Sequence, residues 1–381
     1  MATLKNQKNQ VNPAEAIDYQ FSPAFVALLE QLGCSLIISN YQSSTVMTFS
    51  ALGDGRPVQM FAPFPAAMGL ALDGDRLAIG TKNEVLVLSN IRKLAPSFPK
   101  YPNLFDGYFV PRIRYTVGES AMHDMVFEGR DILAVNTNYS CICRIDGFHN
   151  FVPIWQPPFI SAIRPGDRCH LNGMALEDGE IRYATALGTS DEPRGWNAGR
   201  LTGGVLMEVP SGRILADGLC MPHSPRIING KLYLTEAGTG TLVEIDRATG
   251  ARRPIVTLPG FARGLAEHGG YLFIGLSLVR GKHPFDGLPV AQDGELICGV
   301  VAVEIATGKI VGTLRYTGGC TEIHDIQVMA GTRLLGICGY DTDTSRLAID
   351  LPEVGFWLDP EPEIDPEAEE LEETAPPLLQ G

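Results

Sequence analysis

Long apolar runs are missing from this chain. No 18 consecutive residues are apolar, so no membrane-spanning helix is expected. The stretch Met1–Tyr19 is polar and lacks the apolar centre of a secretory leader. Positive charge is also short: 30 Lys and Arg face 44 Asp and Glu, a net charge of −14. That balance argues against nucleic acid or anionic membrane as a partner. The eight cysteines, at 34, 141, 143, 169, 220, 298, 320 and 338, have no zinc-finger spacing. With no leader, they read as reduced, buried thiols of a cytosolic protein. Cys141 and Cys143 sit two apart, on one face of a strand. Two catalytic signatures are absent as well. Ser224, next to His223, lacks the glycines of a nucleophile elbow. Gly238-Thr239-Gly240 is followed by neither a lysine nor a helix, and reads as a hairpin turn rather than a phosphate loop.

What the chain does have is turns. Its 381 residues include 42 Gly and 27 Pro, enough punctuation for many short strands. A unit recurs: an apolar run, a glycine turn, then a second apolar run. The turn glycines are Gly74, Gly129, Gly179, Gly230, Gly270 and Gly331, spaced by 55, 50, 51, 40 and 61 residues. That is the length of a four-stranded propeller blade. The triplet Ala248-Thr249-Gly250 follows one third strand, and Ala306-Thr307-Gly308 follows another. The expectation is an all-β fold, a six-bladed β-propeller. The strands at 35–61 are expected to complete the blade begun by Ile323–Val328 and Arg333–Cys338, closing the ring. Seven blades is the alternative, if residues 35–61 form a blade of their own.

The rest of the chain frames this body. Residues 1–20 read as a disordered arm and 21–352 as the propeller. A short helix is expected from Pro23 to about Leu32, with Ser22 as its cap and Gly33 as its stop. Insertions at 188–204 and 277–297 separate second from third strands, and long loops in compact domains are usually functional. From 353 the chain turns acidic and Pro-rich, with nine acidic residues between Asp359 and Glu373. This tail reads as disordered, pinned at its root by Phe356 and Trp357, and suited to a basic protein partner.

In a propeller the first strands line the central channel. Aligned on the glycine turn, six or seven residues upstream, the units present Met68, His123, Asn172, His223, Arg263 and His324. His170, two before Asn172, would share its face on a strand. Four of the seven histidines thus fall at one repeat position, while His149, His268 and His283 do not. One reading is a divalent transition-metal centre (Fe, Zn, Mn or Cu) held by His123, His170, His223 and His324, with positions open for substrate. His123, His170 and His223 would carry the catalysis. Asn172, Arg263, Arg226 and Glu236 would bind a small-molecule or peptide substrate. Asp124, Glu119, Glu236, Glu322 and Asp325 are candidates to orient the rings. A metal-free reading makes a histidine the general acid or base, with Arg263 gripping a carboxylate or phosphate. A third reading lets the histidines merely fill the axis. Arg164, Asp167 and Arg168 could line the mouth.

Several words in the chain carry a resemblance. They include Met68-Gly69-Leu70-Ala71, Asp167-Arg168-Cys169-His170-Leu171-Asn172-Gly173, Met221-Pro222-His223-Ser224-Pro225-Arg226, and Leu258-Pro259-Gly260-Phe261 with Arg263-Gly264-Leu265. Across about residues 25–340 the chain resembles a bacterial family of propeller proteins of unknown function (the domain-of-unknown-function 4915 type), some of them fused to tetratricopeptide repeats. The resemblance implies a cytosolic propeller and no established reaction. The family word around Glu322-Ile323-His324-Asp325 has an aromatic residue where this chain has His324. That leaves His123, His170 and His223 as the core set. The function expected is a metal-assisted lyase, hydrolase or oxygenase; the alternative is a non-catalytic scaffold.

Overall fold

The computed structural model describes residues 17–279, 285–292, 294–340 and 342–359. Half of the chain is strand and 8% is helix, in a six-bladed propeller. All six turn glycines lie at positive φ, where a side chain would strain the backbone. In blades one to five each first strand therefore turns tightly into its second.

The inner strands are Leu70–Asp73, Met122–Glu128, Leu171–Glu177, Pro222–Ile228, Phe261–His268 and Ile323–Ala330, for blades one to six. Each opens an antiparallel four-stranded sheet, such as Pro222–Ile228, Lys231–Glu236, Thr241–Ile245 and Arg252–Thr257 in blade four. Blade six closes the ring: Ile323–Ala330 pairs with Cys34–Asn40, which continues into Thr45–Ala51 and Pro57–Pro63. The segment expected as that blade's second strand goes elsewhere. Leu335–Ile337 runs parallel to Gly107–Thr116 and adds a fifth strand to blade one. The N-terminal strands already occupy the place beside Ile323–Ala330, so the chain after it has to find another edge.

A helix, Pro23–Leu32, packs Phe25, Val26, Leu28 and Leu29 against Phe49 of blade six and Phe273 of blade five. It stops at Gly33, whose φ is 58°. Ser22 does not cap it through its side chain; its Oγ accepts from Thr313 N at 3.0 Å. Just before it, Tyr19–Phe21 joins the edge of blade five. At the other end, a hairpin of Ala348–Asp350 and Gly355–Trp357 runs past residue 353, where the tail was expected to begin. Trp357 Nε1 donates to Leu94 O at 3.2 Å, and its ring meets Phe98 edge-on. Phe356 stays 44% exposed.

Both insertions fall between second and third strands, as expected. Gly195–Gly199 forms a turn of 3-10 helix in the first, and Pro289–Ala291 does so in the second. All eight cysteines are free and buried. Among the described residues no helix is long and apolar enough to cross a membrane. Residues 1–16, Arg280, His283, Pro284 and the acidic run beyond Asp359 lie outside the described residues.

Candidate functional site

At one mouth of the channel a cavity of about 340 Å³ is lined by His123, His170, His223 and His324, with Arg263 and Trp196. The repeat explains His123 and His223. In blades two and four, Ala121 and Met221 are left-handed (φ 56° and 51°). Two residues later, His123 Nδ1 lies 3.0 Å from Ala121 O and His223 Nδ1 lies 2.9 Å from Met221 O. A carbonyl can only accept, so each Nδ1 carries the proton and each Nε2 keeps its lone pair.

Blade three departs from this pattern, and from the expected strand geometry. His170 lies just before the strand Leu171–Glu177, at the left-handed position itself (φ 50°). It therefore does not share a strand face with Asn172. The left-handed turn sends the imidazole to the cavity, where Nδ1 meets Asp167 Oδ1 and Oδ2 at 2.9 and 3.0 Å. Asp167 is held in turn by Trp196 Nε1 at 3.1 Å, and the indole packs 4.6 Å from the His170 ring. Trp196 belongs to the 188–204 insertion, so that loop is part of the site.

The rings of His170 and His324 stand 5.0 and 4.9 Å from that of His123, while His223 packs on Phe261 at 5.6 Å. Neither nitrogen of His324 has a hydrogen-bond partner among the described residues, although the residue is only 6% exposed. Burial favours the neutral form of His123, His223 and His324. It pulls His123 down to about 3, with the neighbouring His170 as the next cause, and it pulls His223 and His324 well below the usual value, with Arg263 second. Burial also lowers the Arg263 guanidinium to about 10. Arg263 donates from Nε to Ile323 O at 2.9 Å and from Nη2 to Glu322.

Three residues expected to bind substrate are not brought to this cavity. Asn172 lies between blades three and four, where Oδ1 accepts from Thr185 Oγ1 at 2.7 Å and Nδ2 donates to Pro222 O at 3.0 Å. Arg226 lines a separate cavity of about 230 Å³ with Asp124 and Gln327. Its guanidinium is engaged by Asp124 at 2.8 and 3.1 Å and by Met174 O at 3.1 Å. Glu236 accepts from Arg252 at 2.9 Å and from Cys220 N at 3.3 Å.

The carboxylates expected to orient the rings have other duties. Asp124 and Asp325 accept backbone N–H groups of Met174 (3.0 Å) and Leu70 (2.8 Å) in the following blades. Glu119 pairs with Lys82 at 3.2 Å, and Glu322 pairs with Arg263. The ring orienter is Asp167, three residues before His170. That spacing is visible in the sequence, but the role needs a turn that no periodicity announces. Arg168 is buried, with its guanidinium on Asp191 and Ala162 O. His149 is exposed and sits 2.9 Å from Asp146.

Fold and site together describe a six-bladed propeller with a histidine-lined channel mouth. The chain belongs to the family described as "Domain of unknown function (DUF4915)", whose model matches residues 23–337. No curated protein matches it. Among solved structures it is similar to a chain in the crystal structure of a nidogen/laminin complex. That match has a TM-score of 0.51 and 14% identity, over 78% of this chain and 99% of that one. It shows the fold alone. A protein of unknown function from Bacteroides caccae matches with a TM-score of 0.48 and 10% identity, over 78% of this chain and 98% of the other.

Proposed function

We propose that the channel mouth is a divalent transition-metal centre and that the protein is a cytosolic enzyme acting there on a small molecule or peptide. The observation that supports this is the state of the imidazoles. Three have Nδ1 committed to a fixed acceptor and Nε2 left over, and the fourth, His324, is buried with neither nitrogen hydrogen-bonded among the described residues. Neutral, pre-oriented imidazoles suit Zn, Fe, Mn or Cu. Among the described residues no three His, Cys, Asp or Glu side chains already stand at ligand spacing. Loading would therefore involve a ring rotation, and His324, whose nitrogens have no hydrogen-bond partner among the described residues, is the ring best placed to turn. His123 and His170 complete the closest set, with His223 as the fourth. A bound metal would polarise a carbonyl or activate water or dioxygen, as in a lyase, hydrolase or oxygenase.

The Asp167–His170 pair favours a second, metal-free reading, in which His170 takes a substrate proton while Asp167 orients it. Metal content separates the two. Protein purified without chelator and then dialysed against Zn, Mn, Fe or Cu should retain about one equivalent, by mass spectrometry, and His170→Ala should lose it. Wild type that retains none of the four would sink the metal reading.

A further inference from the structure

Arg263 is a buried cation in the wall of the histidine-lined cavity. Only 8% of it is exposed. Its bonds run from Nε to Ile323 O and from Nη2 to Glu322, which leaves the Nη1 side to the cavity. The guanidinium carbon also lies 5.9 Å from the centre of the Phe261 ring. Phe261 meets Phe285 edge-on at 5.4 Å, and Phe285 comes from the second insertion. Met68, Leu187 and Met221 add apolar wall, and Lys82 and Arg194 add positive charge. The cavity wall therefore sets a buried guanidinium beside an aromatic flank.

From this arrangement we infer that the substrate is a small monocarboxylate with an apolar, ring-sized body, its carboxylate on Arg263 and its body against Phe261 and Phe285. The inference rests on the mouth being a substrate site, as proposed above, but not on the metal. Two features select a monoanion over a phosphate. Glu322 already offsets part of the guanidinium charge, and the donors nearest the anion come from one arginine rather than a nest of backbone N–H groups. The volume, about 340 Å³, suits a compact molecule and not a folded chain. With the carboxylate so placed, the rest of the molecule lies under the histidine rings.

The test is calorimetric titration of the full-length protein with benzoate, phenylacetate, benzamide and phenyl phosphate, with and without prior chelation. The carboxylates should bind, the isosteric amide should bind about tenfold weaker or worse, and phenyl phosphate should not be preferred. Arg263→Lys keeps the charge but loses the planar fork, so carboxylate affinity should fall about tenfold. Glu322→Gln removes the competing anion and should tighten binding several-fold, a gain that misfolding cannot imitate. Equal binding of benzoate and benzamide, a preference for phenyl phosphate, or Arg263→Lys and Glu322→Gln proteins indistinguishable from wild type would each overturn the inference. Carboxylate binding that survives chelation and still depends on Arg263 upholds it even where the metal reading fails. Binding that disappears on chelation places the carboxylate on the metal and overturns it.

Discussion

At the scale of single residues, His170 shows how a site is made from a deviation. Its counterparts in blades two and four are Ala121 and Met221, whose carbonyls serve the histidines two residues on. Blade three places the imidazole on the turn residue itself and supplies Asp167 as its acceptor. A left-handed non-glycine residue costs of order 1 kcal/mol or more and persists where its surroundings demand it. Asp167→Asn should therefore weaken metal retention by about 10- to 100-fold without displacing the metal set, read by competition with a chromogenic chelator.

The other three rings make a prediction about pH. His123 is held down to about 3 and His223 and His324 well below their usual value, so the unfolded chain binds protons that the folded one refuses. Their contribution is complete above about pH 6.5 and is lost as pH falls toward the folded values, with a slope of up to about 1.4 kcal/mol per pH unit for each ring. Asp325 acts in the opposite sense. Burial raises its carboxyl to about 7, so its share is lost as pH rises through that value. Three rings outweigh one carboxyl, and denaturant midpoints between pH 7 and 4 should fall steadily. A midpoint that is flat over this range would show the rings to be solvated and ionisable.

At the scale of elements, neighbouring blades are fastened by a repeated hydroxyl. Ser39, Thr137, Thr235 and Ser277, each on a second strand or, for Thr137, just after it, donate to Met68 O, Leu171 O, Ala262 O and Ile323 O of the next blade, at 2.5 to 3.0 Å. Blade three uses Thr185, which reaches Pro222 O only through Asn172. Asn172 is thus an extension of the fastener. Asn172→Ala should cost about 1–3 kcal/mol in chemical denaturation, because it strands buried polar groups, and should leave metal content unchanged. A lost metal with unaltered stability would return Asn172 to the site.

Blade one has no hydroxyl at the matching place, which is Gly80. There the backbones themselves meet, with Gly69 N donating to Met122 O at 3.1 Å. A Cβ on Gly80 would stand 2.9 Å from Met122 O, and one on Gly69 would stand 2.8 Å from the His123 carbonyl. Gly80→Ala should lower the melting temperature and shift the resonances of His123, since the displaced strand carries that ring.

At the scale of the whole molecule, the N-terminal segment is both strap and wedge. Tyr19–Phe21 extends blade five, the helix Pro23–Leu32 packs on blades five and six, and Cys34–Asn40 pairs with the last inner strand. Ring closure therefore depends on packing as well as pairing. Phe25 is fully buried among Phe49 and Phe273. Phe25→Ala should cost about 3–5 kcal/mol, seen as a lower denaturant midpoint. Opening is expected to begin at the joint between blades five and six, so hydrogen exchange should rise there before it rises in blade three.

How much of this was legible in the sequence follows from the range of the forces involved. Turn glycines, strand alternation and their 50-residue period are local, because backbone sterics and side-chain period act within a few residues. They determined the propeller, the six blades, the closure by the strands at 35–61 and the common position of His123, His223 and His324. Partner choice across blades is not local. Whether Asn172 faces the cavity or a neighbouring blade, and where the strand after Ile323–Ala330 finds an open edge, depend on groups 13 to 228 residues apart. Only the closed ring brings those groups within hydrogen-bond reach, and there the cost of leaving a buried polar atom unpaired decides which contact is made.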